Sequence, residues 1–345
     1  MGDGQMNCLV TGCAGFIGSR VSSLLLQQGH RVVGIDDLND YYDVTLKHHR
    51  LDALTLKFGF RFHQAGIENA ADVNRIFEQH RFDAVINLAA AVGVRYSIEN
   101  PQIYMSTNQI GNLNLLEAIR RHGVNKYVLA STSSLYAGQK MPFLETLPVN
   151  TPISPYAASK KGAESMAWTY HHLFDIDTTV LRYFTVYGPA GRPDMGIFRF
   201  VRWIAEGQPI QLFGDGTQSR DFTYVDDIAA GTIKALRPVG FETINLGGGN
   251  NPTCLNQVLS MIGDRLGCEP EIQQLPPHLS DMKSTHADIS KAARLLDWKP
   301  TVAIGDGLDR CIEWYLDNLP WSAELSLERR ASTGETSAPF YVENG

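Results

Sequence analysis

The sequence predicts an α/β protein built on a doubly wound parallel sheet, with a smaller interleaved C-terminal lobe. Two observations carry that prediction. Short, continuously apolar runs alternate with longer amphipathic stretches through the first half of the chain, as strands covered by helices on both faces require. A glycine-rich turn separates the first such run from the first helical stretch, the place where a doubly wound sheet opens its ligand crevice. The length of 345 residues, with 43% hydrophobic and 19% charged residues, suits one large domain or two smaller ones sharing a core.

Taken in order, Asn7–Thr11 reads as a buried strand, Phe16–Gln28 as a helix and Arg31–Ile35 as the next strand. A polar segment from Asp40 carries a helical pattern to about Leu56, and Arg61–Gln64 is a weak strand. Asp72–His80 is helical, Asp83–Leu88 a buried strand, Ile103–Arg121 a long helix and Lys126–Ser131 a strand. Ser133–Ser154 holds three prolines without a period and reads as a loop of the kind that carries function. Ser154 is placed to cap a helix over Pro155–Leu173, with Pro155 at its first position, and Thr178–Tyr183 is a further strand. The expected division is a nucleotide-binding domain over residues 1–187 and a substrate lobe over 188–320, interleaved with the sheet. The polar tail over 321–345 is expected to be largely disordered.

Thirty basic residues against 37 acidic ones give a formal charge of −7, and no Lys/Arg-rich run offers a face to nucleic acid. No apolar stretch reaches the roughly 18–20 residues that a membrane helix needs. Met1–Gln5 carries no basic region, so no signal peptide is expected, and Met6 stands where a myristoylation pattern wants Ser or Thr. Five widely spaced cysteines without a C-x-x-C fit neither a disulfide framework nor a zinc site, and predict a cytoplasmic protein with reduced thiols. The His48-His49 and His171-His172 pairs are adjacent rather than one turn apart, so no metal site is expected.

The glycine-rich turn is T-G-C-A-G-F-I-G, with Gly12, Gly15 and Gly18 after a strand and opening a helix. Asp36 and Asp37 end the following strand. That context is the dinucleotide fingerprint of a Rossmann-type sheet. Gly12 permits the tight turn, Gly15 lets backbone approach a pyrophosphate, and Gly18 lets the helix pack closely. An acid at Asp36 holds both ribose hydroxyls and repels a 2′-phosphate, favouring NAD. A second signal is Y-x-x-x-K, present at Tyr136–Lys140, where Gly138 argues against a helical face, and at Tyr156–Lys160 inside a capped helix. There the two side chains share a face, and an ammonium beside the phenol is expected to lower its pKa. Such a tyrosine moves a proton at a sugar hydroxyl or carbonyl. The hydroxyl cluster Ser131-Thr132-Ser133-Ser134 follows a buried strand, where it could bridge substrate and Tyr156.

On these motifs the chain resembles the extended short-chain dehydrogenase/reductases over roughly residues 7–317. Asp36-Asp37-Leu38-Asn39, Leu88-Ala89-Ala90, Arg182–Pro189, Arg220–Asp227 and Ala287–Ala292 match as well. The resemblance implies NAD contacts from Phe16, Ile17, Asn39, Ile67, Leu88, Ala89, Ala90, Asn108 and Tyr183, beside the glycines, Asp36, Asp37, Tyr156 and Lys160. It makes Tyr156, Lys160 and Thr132 catalytic. Gly66 departs from the pattern, standing where relatives often place an Asp that touches adenine. Dehydratase and decarboxylase relatives carry an acid in the loop that reads Thr132-Ser133-Ser134 here, so plain 4-epimerisation is implied.

N-D-Y-Y-D-V-T-L-K (Asn39–Lys47) and T-V-Y-G-P-A-G-R-P-D-M (Thr185–Met195) resemble UDP-glucuronate 4-epimerases, implying UDP-glucuronic acid and UDP-galacturonic acid as substrate pair. Substrate contacts are then implied for Arg95, Thr132, Ser133, Ser134, Thr185, Arg192, Phe198, Gln211, Phe213, Arg220 and Asp281. The guanidinium fork of Arg192 suits a carboxylate, whether on the sugar or on the protein, and also suits a phosphate. Tyr156, with Lys160, would take the 4-hydroxyl proton while hydride passes to NAD, leaving a β-keto acid that must not lose carbon dioxide. Alternatives are a neutral or N-acetyl UDP-hexose epimerase, a UDP-glucuronate decarboxylase and a non-catalytic NAD-binding protein. Family likeness also implies a homodimer through the helices around 103–121 and 155–173.

Overall fold

The computed structural model describes residues 4–249, 252–276 and 282–327. The first half alternates as the apolar runs predict: β1 (Asn7–Thr11), α1 (Phe16–Gln27), β2 (Arg31–Asp36), α2 (Val44–Thr55), β3 (Phe60–Gln64), α3 (Ala70–Gln79) and β4 (Ala84–Asn87). Then come α4 (Val94–Glu99), α5 (Pro101–Tyr104), a π-helical turn (Met105–Gly111), α6 (Asn112–His122) and β5 (Lys126–Thr132). A 3₁₀ turn (Ser133–Tyr136), α7 (Pro155–Phe174) and β6 (Asp177–Tyr183) follow. Ser154 does cap α7, accepting from the Ala157 amide at 3.2 Å, with Pro155 in the first turn.

The helix expected over Ile103–Arg121 forms as one helical run over 101–122 with the π turn inside it, and α4 ahead of it carries no sequence signal. Buried Asn108 lies in the π turn, where its side chain accepts from the Ala91 amide at 2.9 Å and donates to Ala91 O at 3.0 Å and Ser159 Oγ at 2.8 Å. The irregular turn brings this amide against both the loop after β4 and α7.

Seven parallel strands form the main sheet in the order β3, β2, β1, β4, β5, β6 and β11 (Phe241–Leu246). Strand order reverses between β1 and β4, so the loops leaving them diverge and open a crevice. Thr11 stitches its floor: its hydroxyl donates to Asn87 Oδ1 at 2.7 Å and accepts from the Leu88 and Ala89 amides at 3.2 and 3.1 Å. One apolar layer (Leu9, Ile35, Ile76, Leu115, Tyr127, Val180) packs beneath α3, α6 and α7. The other (Val10, Val21, Ile86, Val128, Leu181, Ile228) packs beneath α1 and α9 (Val225–Lys234).

Between β6 and β11 the chain leaves the sheet. It forms β7 (Thr185–Tyr187), α8 (Gly196–Ala205), β8 (Ile210–Phe213), β9 (Ser219–Arg220) and β10 (Phe222–Tyr224) before α9 returns to α1. After β11 come β12 (Thr253–Cys254), α10 (Leu255–Leu266), β13 (Ile272–Leu275), α11 (Ser290–Leu296), α12 (Ile304–Asp317) and α13 (Leu319–Ser322). Pairs β7·β10, β8·β13 and β9·β12 join the lobe, whose core gathers Tyr187, Phe198, Val201, Val258, Leu308 and Tyr315.

The first residues of the tail pack on the lobe. Leu325 is buried, Trp321 packs on His49 at 4.7 Å between ring centroids, and Arg202 donates to the Ala323 and Leu325 carbonyls. Its apolar residues find a groove beside α8 that no local pattern reveals. The remainder of that expectation, residues 328–345, lies outside the described residues. Among the described residues no helix is long and apolar enough to cross a membrane.

Candidate active site

A cleft of about 1370 Å³ opens over the crevice between β1 and β4 and continues against the lobe. The glycine turn forms part of its wall, and each glycine there answers a steric demand. Gly12 has φ of 68°, and a Cβ on it would stand 2.8 Å from the Ala89 amide nitrogen. A Cβ on Gly18 would fall 2.0 Å from Gly12 O, so α1 can lie against the turn only without one. Gly15 caps α1 with bare backbone and no side-chain bond, leaving first-turn amides directed at the cleft. Asp36, at the end of β2, accepts from the Ala14 and Leu38 amides at 3.1 and 2.9 Å. Burial pushes its carboxyl above the usual range, and the Lys47 ammonium, 3.7 Å away, opposes that. Anion-seeking amides, backbone-only approach and an acid at the next strand fit a dinucleotide. Asp37, Asn39, Phe16, Ile17, Ile67, Leu88, Ala89, Ala90 and Tyr183 line the same cleft.

Two residues near the glycine turn carried no functional signal in the sequence. A Cβ on Gly66 would meet Glu68 Oε1 at 2.0 Å, so the Glu68 carboxyl fills the space that an Asp side chain at 66 would take. Arg50 joins three cleft segments, donating to Ala14 O at 3.2 Å, Tyr42 Oη at 2.7 Å and Ala190 O at 2.6 Å.

Tyr156 and Lys160 lie one turn apart on α7 and both line the cleft with Thr132. Burial pushes the Tyr156 phenol up, while its hydrogen bond with Thr132 and the nearby Arg192 guanidinium pull it back. Burial wins, so the phenol lies above its ordinary value where a lowered one was expected. Lys160 Nζ donates to Ala130 O at 2.9 Å. Burial lowers Lys160 to about 8, opposed by Glu164 a turn further along. Glu164 accepts from Ser131 Oγ at 2.6 Å and from Arg182 at 2.9 and 2.8 Å. The other Y-x-x-x-K forms no pair: Tyr136 is buried against Arg182 and Asn245, and Lys140 is exposed.

Ser133, Ser134, Thr185, Arg192, Arg95, Gln211, Phe213 and Arg220 also line the cleft. The Arg95 guanidinium lies 4.2 Å from the Phe213 ring centroid. Arg192 is held side-on by Asp194, Nε to Oδ1 at 3.0 Å and Nη2 to Oδ2 at 2.6 Å, and packs over Tyr41 and Tyr42. Of the acids considered for its fork, the one seated there is on the protein. Two of the expected contact residues do not line this cleft. Phe198 turns into the lobe core, 5.9 Å from Tyr315, while Arg199, Phe200 and Trp203 of α8 face the cleft. The helical period decides this, because α8 buries its most apolar stripe. Asn108 spends its amide on Ala91 and Ser159 behind the cleft wall. Asp281 lies outside the described residues.

A family model described as the NAD dependent epimerase/dehydratase family matches residues 8–247. A UDP-glucuronate 4-epimerase of Thermodesulfobacterium geofontis is 56% identical over 311 residues, 90% of this chain and 96% of that one. The crystal structure of a Bacillus cereus UDP-glucuronic acid 4-epimerase in complex with UDP-glucuronic acid and NAD superposes with a TM-score of 0.85. It is 38% identical, over 91% of this chain and all of the other. A UDP-glucose 4-epimerase of Thermotoga maritima with UDP-glucose gives 0.82 at 32% identity, over 91% and 100%. Glycine turn, tyrosine pair and sheet order together with these matches establish that the chain belongs to the NAD dependent epimerase/dehydratase family.

Proposed function

We propose that this protein interconverts UDP-glucuronic acid and UDP-galacturonic acid by NAD-dependent epimerisation at carbon-4. The observation that carries the reading is the Arg192 guanidinium, partly exposed to the same cleft that Tyr156 and the glycine turn line. Guanidinium N–H donors there suit a substrate whose carboxylate is attached to the carbon next to the reacting centre. NAD, bound over Gly12, Gly15, Gly18 and Asp36, supplies the hydride acceptor and donor. Tyr156 takes the 4-hydroxyl proton and returns it, with Thr132 sharing the hydrogen bond and Lys160 supplying positive charge behind it. Ser133, Ser134 and Thr185 offer hydroxyls to the carboxylate. Phe213, Gln211 and Arg220, which line the same cleft, would take the nucleotide half, and the Glu68 carboxyl would stand in for an Asp at position 66.

A decarboxylase is disfavoured because the loop Thr132-Ser133-Ser134 brings hydroxyls but no acid. Proton NMR of the purified protein with UDP-glucuronate tests the reading. UDP-galacturonate rising to a stable mixture is the expected outcome. UDP-pentose would favour the decarboxylase, turnover of UDP-glucose alone a neutral-sugar epimerase, and no turnover with NAD added a binding protein.

We infer also that the protein pairs with a second copy. Met166, Trp168, Leu173 and Phe174 of α7 and Ile103 and Ile110 before α6 are exposed apolar side chains, more than a lone surface carries without cost. The free cysteines suit a reducing compartment such as the cytoplasm.

A further inference from the structure

Arg192 can serve a substrate carboxylate in two ways, and the geometry separates them. A guanidinium with a free side-on edge would chelate the substrate as a full ion pair. Here that edge is filled: Asp194 takes Nε at 3.0 Å and Nη2 at 2.6 Å, with only 2% of its side chain exposed. The ion pair is also fixed in place. Tyr41 and Tyr42 lie 5.4 and 5.9 Å from the guanidinium, and Arg50 holds the Tyr42 hydroxyl at 2.7 Å. Arg192 keeps 16% of its side chain exposed to the cleft, so its outward N–H groups stay presentable.

Epimerisation imposes a second demand. The same hydride carrier must meet both faces of carbon-4, so the sugar has to turn, and its carboxylate turns with it. A strong chelate would stabilise one pose and slow the exchange, because binding that favours the ground state does not raise turnover.

We propose that Asp194 is a positioning residue that neutralises and immobilises Arg192, so that the substrate carboxylate meets directional N–H donors without a full ion pair and can turn between the two poses. This rests on the assignment of a 6-carboxylate substrate made above. Asp194 thereby sets how strongly the site prefers an acidic sugar over a neutral one.

The test compares affinities for UDP-glucuronate and UDP-glucose by calorimetry on NAD-loaded protein, in a Tyr156→Phe background that stops turnover, and measures kcat with Tyr156 restored. Asp194→Asn should raise the glucuronate-to-glucose affinity ratio about tenfold or more, as an unneutralised guanidinium gains the substrate as counterion, while kcat falls. An unchanged or smaller ratio, or KM rising as kcat falls, overturns the proposal. Arg192→Lys covers the case in which Asp194→Asn does not fold. It should lower turnover yet hold the affinity ratio within about threefold, because the fork is spent on Asp194. A loss of about tenfold or more would mean that the substrate itself takes the fork, overturning the idea. A wild type that neither binds nor converts UDP-glucuronate overturns this inference and the proposed function together. A converting wild type with the wrong ratios overturns this inference alone.

Discussion

Tyr156 is a buried phenol whose ordinary reluctance to ionise is countered by Thr132 and by the Arg192 guanidinium. Removing its hydroxyl in Tyr156→Phe should cost about 10²- to 10⁴-fold in kcat for UDP-glucuronate, with NAD retention unchanged by absorbance of the denatured supernatant. Arg192→Ala should lower UDP-glucuronate turnover at least about tenfold while NAD retention holds. Equal loss of both would remove Arg192 from substrate handling. Tyr156, Lys160 and the three glycines were legible in the sequence because their spacing alone places them on one helix face or in one turn. The Asp194 clamp and the Glu68 carboxyl over Gly66 were not, since each depends on a side-chain direction that spacing does not specify.

At the scale of elements, the segment after α12 acts as a strap. Arg202 of α8 holds the carbonyls of Ala323 and Leu325, Arg199 donates to Leu327 O at 2.6 Å, and the Ser326 amide donates to Asp43 at the start of α2 at 3.0 Å. Helix α8 also presents Arg199, Phe200 and Trp203 to the cleft. A chain ending at Asn318 should melt several degrees lower, with Leu325 alone worth about 1.5–3 kcal/mol of burial. KM for the sugar nucleotide should rise in it, and an unchanged KM would confine the strap to stability.

Another junction, between β3 and the end of α3, pairs His63 Nε2 with His80 Nε2 at 3.0 Å. Burial, chiefly, and nearby positive charge hold both imidazoles below their usual pKa. A base depressed in the folded state binds protons more readily unfolded. Its contribution is therefore whole above about pH 6.5 and is lost as pH falls through the folded values. Melting temperature should drop between pH 7 and pH 5, and His63→Gln should flatten that drop. An identical slope in the variant would clear the pair of this role.

For the molecule as a whole, sheet order joins residues far apart in the chain into one cleft. β1 and β4 lie side by side, so Gly12 faces Ala89 across 77 positions, while β11 closes the far edge of a sheet begun near residue 7. The alternation of apolar runs determined the α/β class, and local chemistry determined the glycine turn, the Ser154 cap and the Tyr156–Lys160 face. These are properties of neighbours within a few positions, written in spacing and backbone freedom. Only the tertiary structure decided that Asn108 faces Ala91 and Ser159, that Phe198 turns into the lobe core, that residues 321–327 pack beside α8, and that Asp194 fills the Arg192 fork. Each of those outcomes depends on which distant surface a side chain meets and which partner is buried beside it, and local spacing contains neither.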